Sequence, residues 1–281
     1  MNTPLVTIAI PIYNAEPYLC DAIQSVINQT YKDWLLYLIN DGSTDNSLSI
    51  MKEYAKRDCR IKIINDGQNK GLIARLNQSI SLSETKYYAR MDADDIMYIY
   101  RIEEQIKFLE EHHDIDICGT SIMTIDNDNN IIGSGYYDGN VSSFVHPSVI
   151  GKTIWFKNNP YAEWPVRAED FELWLRTANK SKFYAIGKPL LFYREFGIPT
   201  FSKYYATQQT MLKIFINYRM YGQSLLWCSK NIVKTVTKII VSAFLGLIGR
   251  DNLLVYFRRR HSIPKELCLN SDDLLSSIKN V

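Results

Sequence analysis

The order of apolar and polar residues predicts strands that alternate with helices from Leu5 to Asp95. Four apolar, β-branched runs are typical of buried strands: LVTIAIPI, WLLYLIND, IKIIND and KYYARMDADD. Apolar residues recur at helical spacing in the three intervening segments: Leu19, Ala22, Ile23, Val26 and Ile27; Leu48, Met51 and Ala55; Leu72, Leu76 and Ile80. Because parallel strands need crossover connections, this alternation predicts an α/β fold with a mostly parallel central sheet and helices on both faces.

The pattern changes near residue 200. Before it, DICGTSIMTI reads as a strand, DNDNNIIGSG as a turn-rich stretch and AEDFELWLRTA as an amphipathic helix. Residues 201–281 are helical in pattern and hold 12 Lys/Arg against 4 Asp/Glu, whereas the preceding residues hold 20 against 26. We therefore predict one domain at residues 1–200 and a basic, helical C-terminal tail at residues 201–281.

Composition places the chain among ordinary globular proteins. With 46% hydrophobic and 22% charged residues it is not a candidate for disorder, and 281 residues suffice for a large α/β domain plus an extension. The five cysteines are scattered and form no C-x-x-C pair, which favours a reducing compartment. The N-terminus lacks the basic region of a signal peptide, so we expect a cytoplasmic location.

The tail has the pattern of a membrane-surface helix. Lys230, Lys234 and Lys238 recur every four residues. An apolar face is predicted from Ile232, Val233, Val236, Ile239 and Ile240, and Arg258, Arg259 and Arg260 add positive charge. The uncharged run from Ile239 to Gly249 is shorter than the roughly 20 residues that span a bilayer. We expect peripheral contact with an anionic membrane, rather than nucleic acid, with packing on the main domain as the alternative.

Polar residues follow the predicted strands where a parallel sheet binds ligands. Tyr13 and Asn14 follow the first strand, Asp41 the second, and Asp92 and Asp94 the fourth. The carboxyl ends of parallel strands meet at one edge of the sheet, so these side chains should converge. Asp92 and Asp94 could share one divalent cation, although short acidic turns are more often simply solvated.

Four residues admit two interpretations, with Glu169 and Asp170 taken together. Asp41 could cap the following helix, or accept a hydrogen bond from a ligand such as a pyrimidine N–H. Glu169 and Asp170 suit the first turn of a helix through its dipole, or one of them acts as a general base. His146, before a proline, is either a packed histidine or a group beside the metal or acceptor.

Taken in order, the segments resemble family 2 glycosyltransferases throughout residues 5 to 194. The segments are PIYN, NDGSTDNS, NKGLIARLNQSI, ARMDADD, YRIEEQIKFLE, HPSV, AEDFELWLR and KPLLFYR. The resemblance implies a GT-A fold with a Rossmann-like sheet, a nucleotide-diphosphate sugar as donor, with UDP expected, Mn²⁺ or Mg²⁺, and inversion at the anomeric carbon. It further implies a glycan or lipid-linked acceptor in bacterial polysaccharide assembly.

The resemblance also assigns roles to individual residues. Donor nucleotide binding falls to Pro11, Tyr13, Asn14, Asp41, Asn69, Gly71 and Asp92. Asp94 matches the metal ligand and Asp170 the catalytic base, with His146 and Glu169 as contacts on the acceptor or metal side. The Q-x-x-R-W motif of processive members is absent, which favours single additions. The alternatives are a nucleotide-sugar-binding, membrane-associated protein without turnover and a metal-dependent phosphotransferase of the haloacid dehalogenase type.

Overall fold

The computed structural model describes residues 4–165, 167–196, 201–248 and 263–279, which form two compact units. Unit 1 comprises the described residues within Met1–Pro160, Ser181–Glu195 and His261–Val281. Unit 2 comprises those within Tyr161–Lys180 and Phe196–Arg260. This division differs from the predicted boundary after residue 200, because the predicted domain supplies residues to unit 2 and the predicted tail supplies residues to unit 1.

Unit 1 is built on one mixed sheet. The strands are β1 (Val6–Ile12), β2 (Trp34–Asn40), β3 (Ile61–Asn65), β4 (Tyr87–Arg90), β5 (Ile96–Met97), β6 (Ile117–Ile125), β7 (Ile131–Gly135), β8 (Gly139–Asn140), β9 (Ile150–Lys152) and β10 (Phe183–Arg194). Their order across the sheet is β3-β2-β1-β4-β9-β6-β10-β5, with β7 beside β6 and β8 beside β10.

The mostly parallel sheet is confirmed. Strands β3, β2, β1 and β4 run parallel, as do β6 and β10. The three-residue strand β9 joins these two parallel groups and is antiparallel to both, with Ile150 opposite Ala89 on one side and Cys118 on the other. The four strands predicted from the apolar runs are all present, and their carboxyl ends lie at the same edge.

The helices follow the predicted alternation. They are α1 (Glu16–Ile27), α2 (Ser47–Arg57), α3 (Leu72–Leu82), α4 (Arg101–Glu111), α5 (Thr153–Asn158), α6 (Glu169–Thr177), α7 (Phe201–Ile216), α8 (Leu225–Leu247) and α9 (Ser271–Ile278). Helix α1 shows why these segments are helical. Pro17 lies in its first turn, where a backbone N–H has no intrahelical partner to bond, and Leu19, Ile23 and Val26 are buried on one face. These residues pack with Ile8 and Ile10 of β1 in the main core of unit 1.

Residues 263–279 belong to unit 1, far in sequence from the sheet that they cover. Helix α9 begins with a capping box in which Asn270 and Asp273 each accept the other's backbone N–H. Leu274 joins an apolar cluster with Ile96 and Phe192. Asn28 Nδ2 donates to the carbonyls of Ser277 and Lys279 at 3.1 and 2.6 Å. This part of the predicted tail therefore fixes the edge of the sheet at β5.

Unit 2 contains α6, α7 and α8, so the helical pattern predicted after Phe201 is confirmed for the described residues. Ile214, Phe215 and Tyr221 form its buried cluster, against which Trp227 and Ile232 of α8 pack. Among the helices of the described residues, none is both long and apolar enough to cross a membrane. The Arg258, Arg259 and Arg260 run lies outside the described residues.

Candidate active site

The structure places the predicted donor residues at the carboxyl ends of the four parallel strands of unit 1. Their positions are Pro11 in β1, Tyr13 and Asn14 after β1, Asp41 after β2, Asn69 and Gly71 after β3, and Asp92 and Asp94 after β4. Because β3, β2, β1 and β4 are neighbours in that order, the loops that carry these residues share one edge of the sheet. The convergence inferred from the strand pattern is confirmed at the level of the loops.

Asp41 ties the end of β2 to the loop that follows β3. Its carboxylate is buried and accepts the backbone N–H of Lys70 at 2.7 Å and that of Gly71 at 3.0 Å. The Nε of Arg75 donates to it at 2.9 Å. The helix-capping interpretation is therefore wrong, because Asp41 bonds this loop while Asn46 occupies the N-cap position of α2.

Arg75 is a residue that the sequence analysis missed. It lies on α3, its side chain has no solvent exposure, and its guanidinium also donates to Asp66 Oδ1 at 2.7 Å and Gln78 Oε1 at 2.9 Å. The hydrogen bond to Asp66, followed by that to Asp41, raises the pKa of Arg75 against the effect of burial, while the pKa of Asp66 is held far below its usual range. Arg75 therefore keeps a permanent positive charge beneath the loop that carries Asn69 and Gly71.

Tyr13 and Asn14 shape the other side of this edge. Asn14 adopts a left-handed conformation with φ of 50°, which asparagine tolerates better than most residues. Its Oδ1 accepts the backbone N–H of Thr44 at 2.8 Å, and its own N–H donates to Ser43 Oγ at 3.1 Å. Tyr13, directly before this turn, keeps 55% of its surface exposed. Its ring is thus available to stack on a planar ligand.

An acidic turn follows β4. Asp92, Asp94 and Asp95 each offer a carboxylate oxygen, and these oxygens lie within 4.8 Å of one another. Burial, followed by the charge of Asp92, raises the pKa of Asp94 to about 6. Burial and the charges of Asp94 and Asp92 raise the pKa of Asp95 well above its usual range. The turn thus crowds three acidic groups together, while Arg194 and Arg90, which pairs with Asp92, act in the opposite direction on the pKa of Asp94.

Arg194, at the end of β10, holds this turn in place. Its backbone N–H donates to Asp95 Oδ1 at 2.9 Å, and its Nε donates to the Asp94 carbonyl at 2.8 Å. Its Nη2 donates to Asn129 Oδ1 at 2.6 Å, while the guanidinium lies 4.4 Å from the centre of the Tyr18 ring. The sequence analysis gave Arg194 no role, although it ends the KPLLFYR segment.

The acidic turn has the chemistry of a divalent-cation site. Three carboxylates supply the hard oxygen ligands that Mg²⁺ and Mn²⁺ prefer. Asp95 Oδ2 is fully buried and has no hydrogen-bond partner among the described residues, which is costly unless a cation or proton satisfies it. Asp95 is a member of this cluster that the sequence analysis did not single out, although it stands next to Asp94 in MDADD.

The remaining predicted residues lie on other elements. His146 is buried in a 3-10 turn of unit 1 that precedes β9. Glu169 and Asp170 open α6 in unit 2, after Ala168, whose φ is 60°. The Asp170 carboxylate accepts the backbone N–H of Phe171 at 2.8 Å. The roles predicted for these three residues, as base and as contacts on the acceptor or metal side, stay predictions.

Comparison with known proteins decides the family. The model of glycosyl transferase family 2 matches residues 7–178, more than half of the chain. The chain belongs to glycosyl transferase family 2. An uncharacterized glycosyltransferase of Haemophilus influenzae is 34% identical over 232 residues, which cover 75% of this chain and 72% of the relative. This result counts against a phosphotransferase of the haloacid dehalogenase type.

Two solved structures of other proteins match the fold of this family 2 glycosyltransferase, which is of the GT-A type. Staphylococcus aureus TarS (residues 1–349) in complex with UDP-GlcNAc matches with a TM-score of 0.65 and 17% identity, over 82% of this chain and 71% of TarS. The mannosyltransferase PcManGT of Pyrobaculum calidifontis, in complex with GDP-Man and Mn²⁺, matches with a TM-score of 0.61 and 12% identity, over 92% of this chain and 82% of PcManGT. The predicted fold class is thus confirmed.

Proposed function

We propose that the chain is an inverting, single-addition glycosyltransferase that moves a sugar from a UDP-sugar to a hydroxyl of a glycan or lipid-linked acceptor. The observation that carries the proposal is the acidic turn after β4, on the same sheet edge as the exposed Tyr13 and the Asp41 network. The turn suits a diphosphate bound through a cation, and the loops after β1, β2 and β3 suit the nucleoside.

The donor nucleoside would bind at these three loops. Tyr13 offers an exposed aromatic surface on which a base can stack. Asn14 and Asp41 fix the turns on either side, and the backbone around Asn69 and Gly71 forms the rim. Asp92, half-buried before Asp94, would contact the ribose or base. A nucleotide-sugar donor is supported by TarS and PcManGT, whose structures hold UDP-GlcNAc and GDP-Man.

A divalent cation, Mn²⁺ or Mg²⁺, would be held by Asp94 with Asp92 or Asp95 beside it. When bound, such a cation neutralises charge that develops on the departing diphosphate. Arg194 keeps Asp94 and Asp95 in position through their backbone and carboxylate groups. PcManGT, whose structure contains Mn²⁺, supports this choice of metal.

Asp170 would serve as the general base. Its carboxylate takes the proton of the acceptor hydroxyl, whose oxygen attacks the anomeric carbon from the face opposite the diphosphate. The new carbon–oxygen bond forms as the bond to the diphosphate oxygen breaks, and the bonding electrons leave with the nucleoside diphosphate. One displacement inverts the configuration, and no carboxylate nucleophile is required. Glu169 and His146 would contribute contacts to the acceptor or the metal.

The positive charge of residues 201–248 supports the acceptor that we propose. Residues 201–248 carry six basic residues and no Asp or Glu, which suits an enzyme that works beside anionic lipid or a lipid-linked acceptor in surface polysaccharide assembly. The cytoplasmic location predicted from the N-terminus, and the reducing compartment predicted from the cysteines, stay predictions. The structure leaves all five cysteines, which are among the described residues, unpaired.

Hydrolysis of a panel of nucleotide sugars in the presence of Mn²⁺ tests the proposal. The wild-type protein should hydrolyse a UDP-sugar slowly, and Asp94→Ala should abolish this activity while the free nucleoside uridine still binds. Asp170→Asn should lower transfer about 10²–10⁴-fold with little change in donor affinity. Donor binding without hydrolysis or transfer would instead favour the nucleotide-sugar-binding protein without turnover, and retained activity in Asp94→Ala would remove Asp94 from the metal site.

A further inference from the structure

Helix α8 presents an apolar face to solvent. Its inner side is defined by Cys228, Thr235 and Ser242, which are buried at intervals of seven residues, and it packs beside α7 within unit 2. The outer side carries five large apolar residues, each at least 60% exposed: Leu226, Val233, Ile240, Phe244 and Leu247. They extend over about 32 Å of helix at roughly 1.5 Å per residue. Exposed apolar residues are normally scattered singly, so five of them along one side of a helix point to a binding surface.

The exposed apolar face is not the one predicted from the sequence alone. Ile232 and Ile239, which were expected on the outer face, are half-buried on the inner side. Val233 and Ile240 lie on the outer face as predicted, and Phe244 extends it by another turn. The difference arises because the buried side of α8 contains small and polar residues such as Thr235 and Ser242. A pattern of apolar residues alone does not place these residues on the buried side.

A row of lysines flanks this face. Lys230, Lys234 and Lys238 lie between about 60° and 145° around the helix axis from the middle of the apolar row, and all three are exposed. No ion pair to them occurs within the described residues, and residues 201–248 contain no carboxylate side chain. Partial burial and the neighbouring charge of Lys234 lower the pKa of Lys238. No carboxylate in residues 201–248 offsets the positive charge of the row.

We propose that this face of α8, defined by the five exposed apolar residues and the three lysines, docks on the surface of an anionic lipid bilayer. The apolar side chains would enter the boundary between headgroups and acyl chains, and the lysines would contact lipid phosphates. Peripheral contact follows because the lysines recur through the helix, which does not qualify as a membrane span. A second copy of the chain fits less well, because pairing two such faces brings lysine rows together without carboxylates. The proposal does not depend on the transfer reaction.

Binding of the full chain to vesicles tests this inference. Truncation is unsuitable because residues 263–279 complete the core of unit 1. Vesicles of phosphatidylcholine with about a third phosphatidylglycerol should bind the wild-type protein at 0.1 M salt, and pure phosphatidylcholine should bind it weakly. Raising the salt to 0.5 M should weaken binding to the anionic vesicles. Replacing Lys230, Lys234 and Lys238 together with Gln should lower the partition coefficient about 100-fold, at ~1 kcal/mol per charge.

The apolar contribution has its own variant and matched controls. Ile240→Gln with Phe244→Gln should lower partitioning at least about tenfold. The control Ile132→Gln removes an apolar residue of similar exposure from β7 of unit 1, and Lys52→Gln with Lys56→Gln removes exposed charges from α2. Both controls should bind like the wild type. Unchanged thermal unfolding would show that the variants fold.

Three results would overturn the proposal. The first is a wild-type protein that does not bind anionic vesicles, and the second is equal binding of the α8 variants and the controls. The third is a stable dimer that Ile240→Gln with Phe244→Gln dissociates while lipid binding is absent, which would make the face a subunit interface. Vesicle binding and donor hydrolysis are separate measurements, so a failure of either proposal is distinguishable from failure of the other.

Discussion

Replacing Arg75 with Met should destabilise unit 1 by about 3 kcal/mol. The substitution keeps a long, flexible side chain but removes the positive charge that faces Asp41 and Asp66. Breaking a buried ion pair by removing one partner costs about 3–5 kcal/mol, because the other charge stays buried. Asp41 retains the N–H groups of Lys70 and Gly71, which places the cost at the lower end of this range. Asp66 is about one-third exposed, so water can replace its partner at little cost.

The assay is denaturant unfolding followed by tryptophan fluorescence, with the slope against denaturant compared between variants. Arg75→Lys is the matched control: it keeps the charge but lacks the fork that reaches Asp41 and Asp66 together, so it should lose about half as much. Asp41→Asn combined with Arg75→Met should cost less than the sum of the single changes, by about 0.5–3 kcal/mol. An Arg75→Met protein within about 1 kcal/mol of the wild type, or strict additivity in the double variant, would refute the assigned role of this pair.

Two more pairs of substitutions test the packing of unit 1. Gly42→Ala should cost about 1–3 kcal/mol more than Gly67→Ala, since both have φ above 70° but only at Gly42 does a Cβ lie 2.8 Å from a backbone atom, the nitrogen of Asn69; equal unfolding midpoints would argue against the close approach. Leu274→Ala should cost about 2–5 kcal/mol, whereas Leu275→Ala, on the exposed side of α9, should cost little. Similar losses at both positions, measured by denaturant unfolding, would contradict the described packing of α9.

The strands and helices that form the donor edge were predictable because their signals are local. Apolar runs define β1 to β4, helical spacing defines α1 to α3, and the polar residues follow each strand directly. The family resemblance then supplied roles for Asp94 and Asp170 that spacing alone left open. By contrast, β9 has three residues, too few for a periodic pattern, and it is the strand that joins the two parallel parts of the sheet.

The residues missed by the sequence analysis act through contacts that are distant along the chain. Arg75 binds Asp41 across 34 residues, and Arg194 binds the Asp94 carbonyl across 100. A buried arginine within an apolar segment carries no local sign of its partner. The position of α9 could not be predicted for the same reason. Its amphipathic pattern predicts a helix, but only the folded chain shows that Leu274 packs in one cluster with Ile96.

Because α9 belongs to unit 1 but lies near the C-terminal end of the sequence, unit 1 is completed late in synthesis. The ribosome completes β10 at Arg194, but Ser271 follows 77 residues later. At about 5–20 residues per second, that interval lasts roughly 4–15 s. During it, the apolar surface formed by Ile96, Met123 and Phe192 lacks the helix that covers it, and the turn at Asp94 is attached to an incomplete edge. During this interval the uncovered apolar surface can lead to aggregation of the nascent chain. The segments of unit 2, which lie between segments of unit 1 in the sequence, are synthesised before unit 1 is complete.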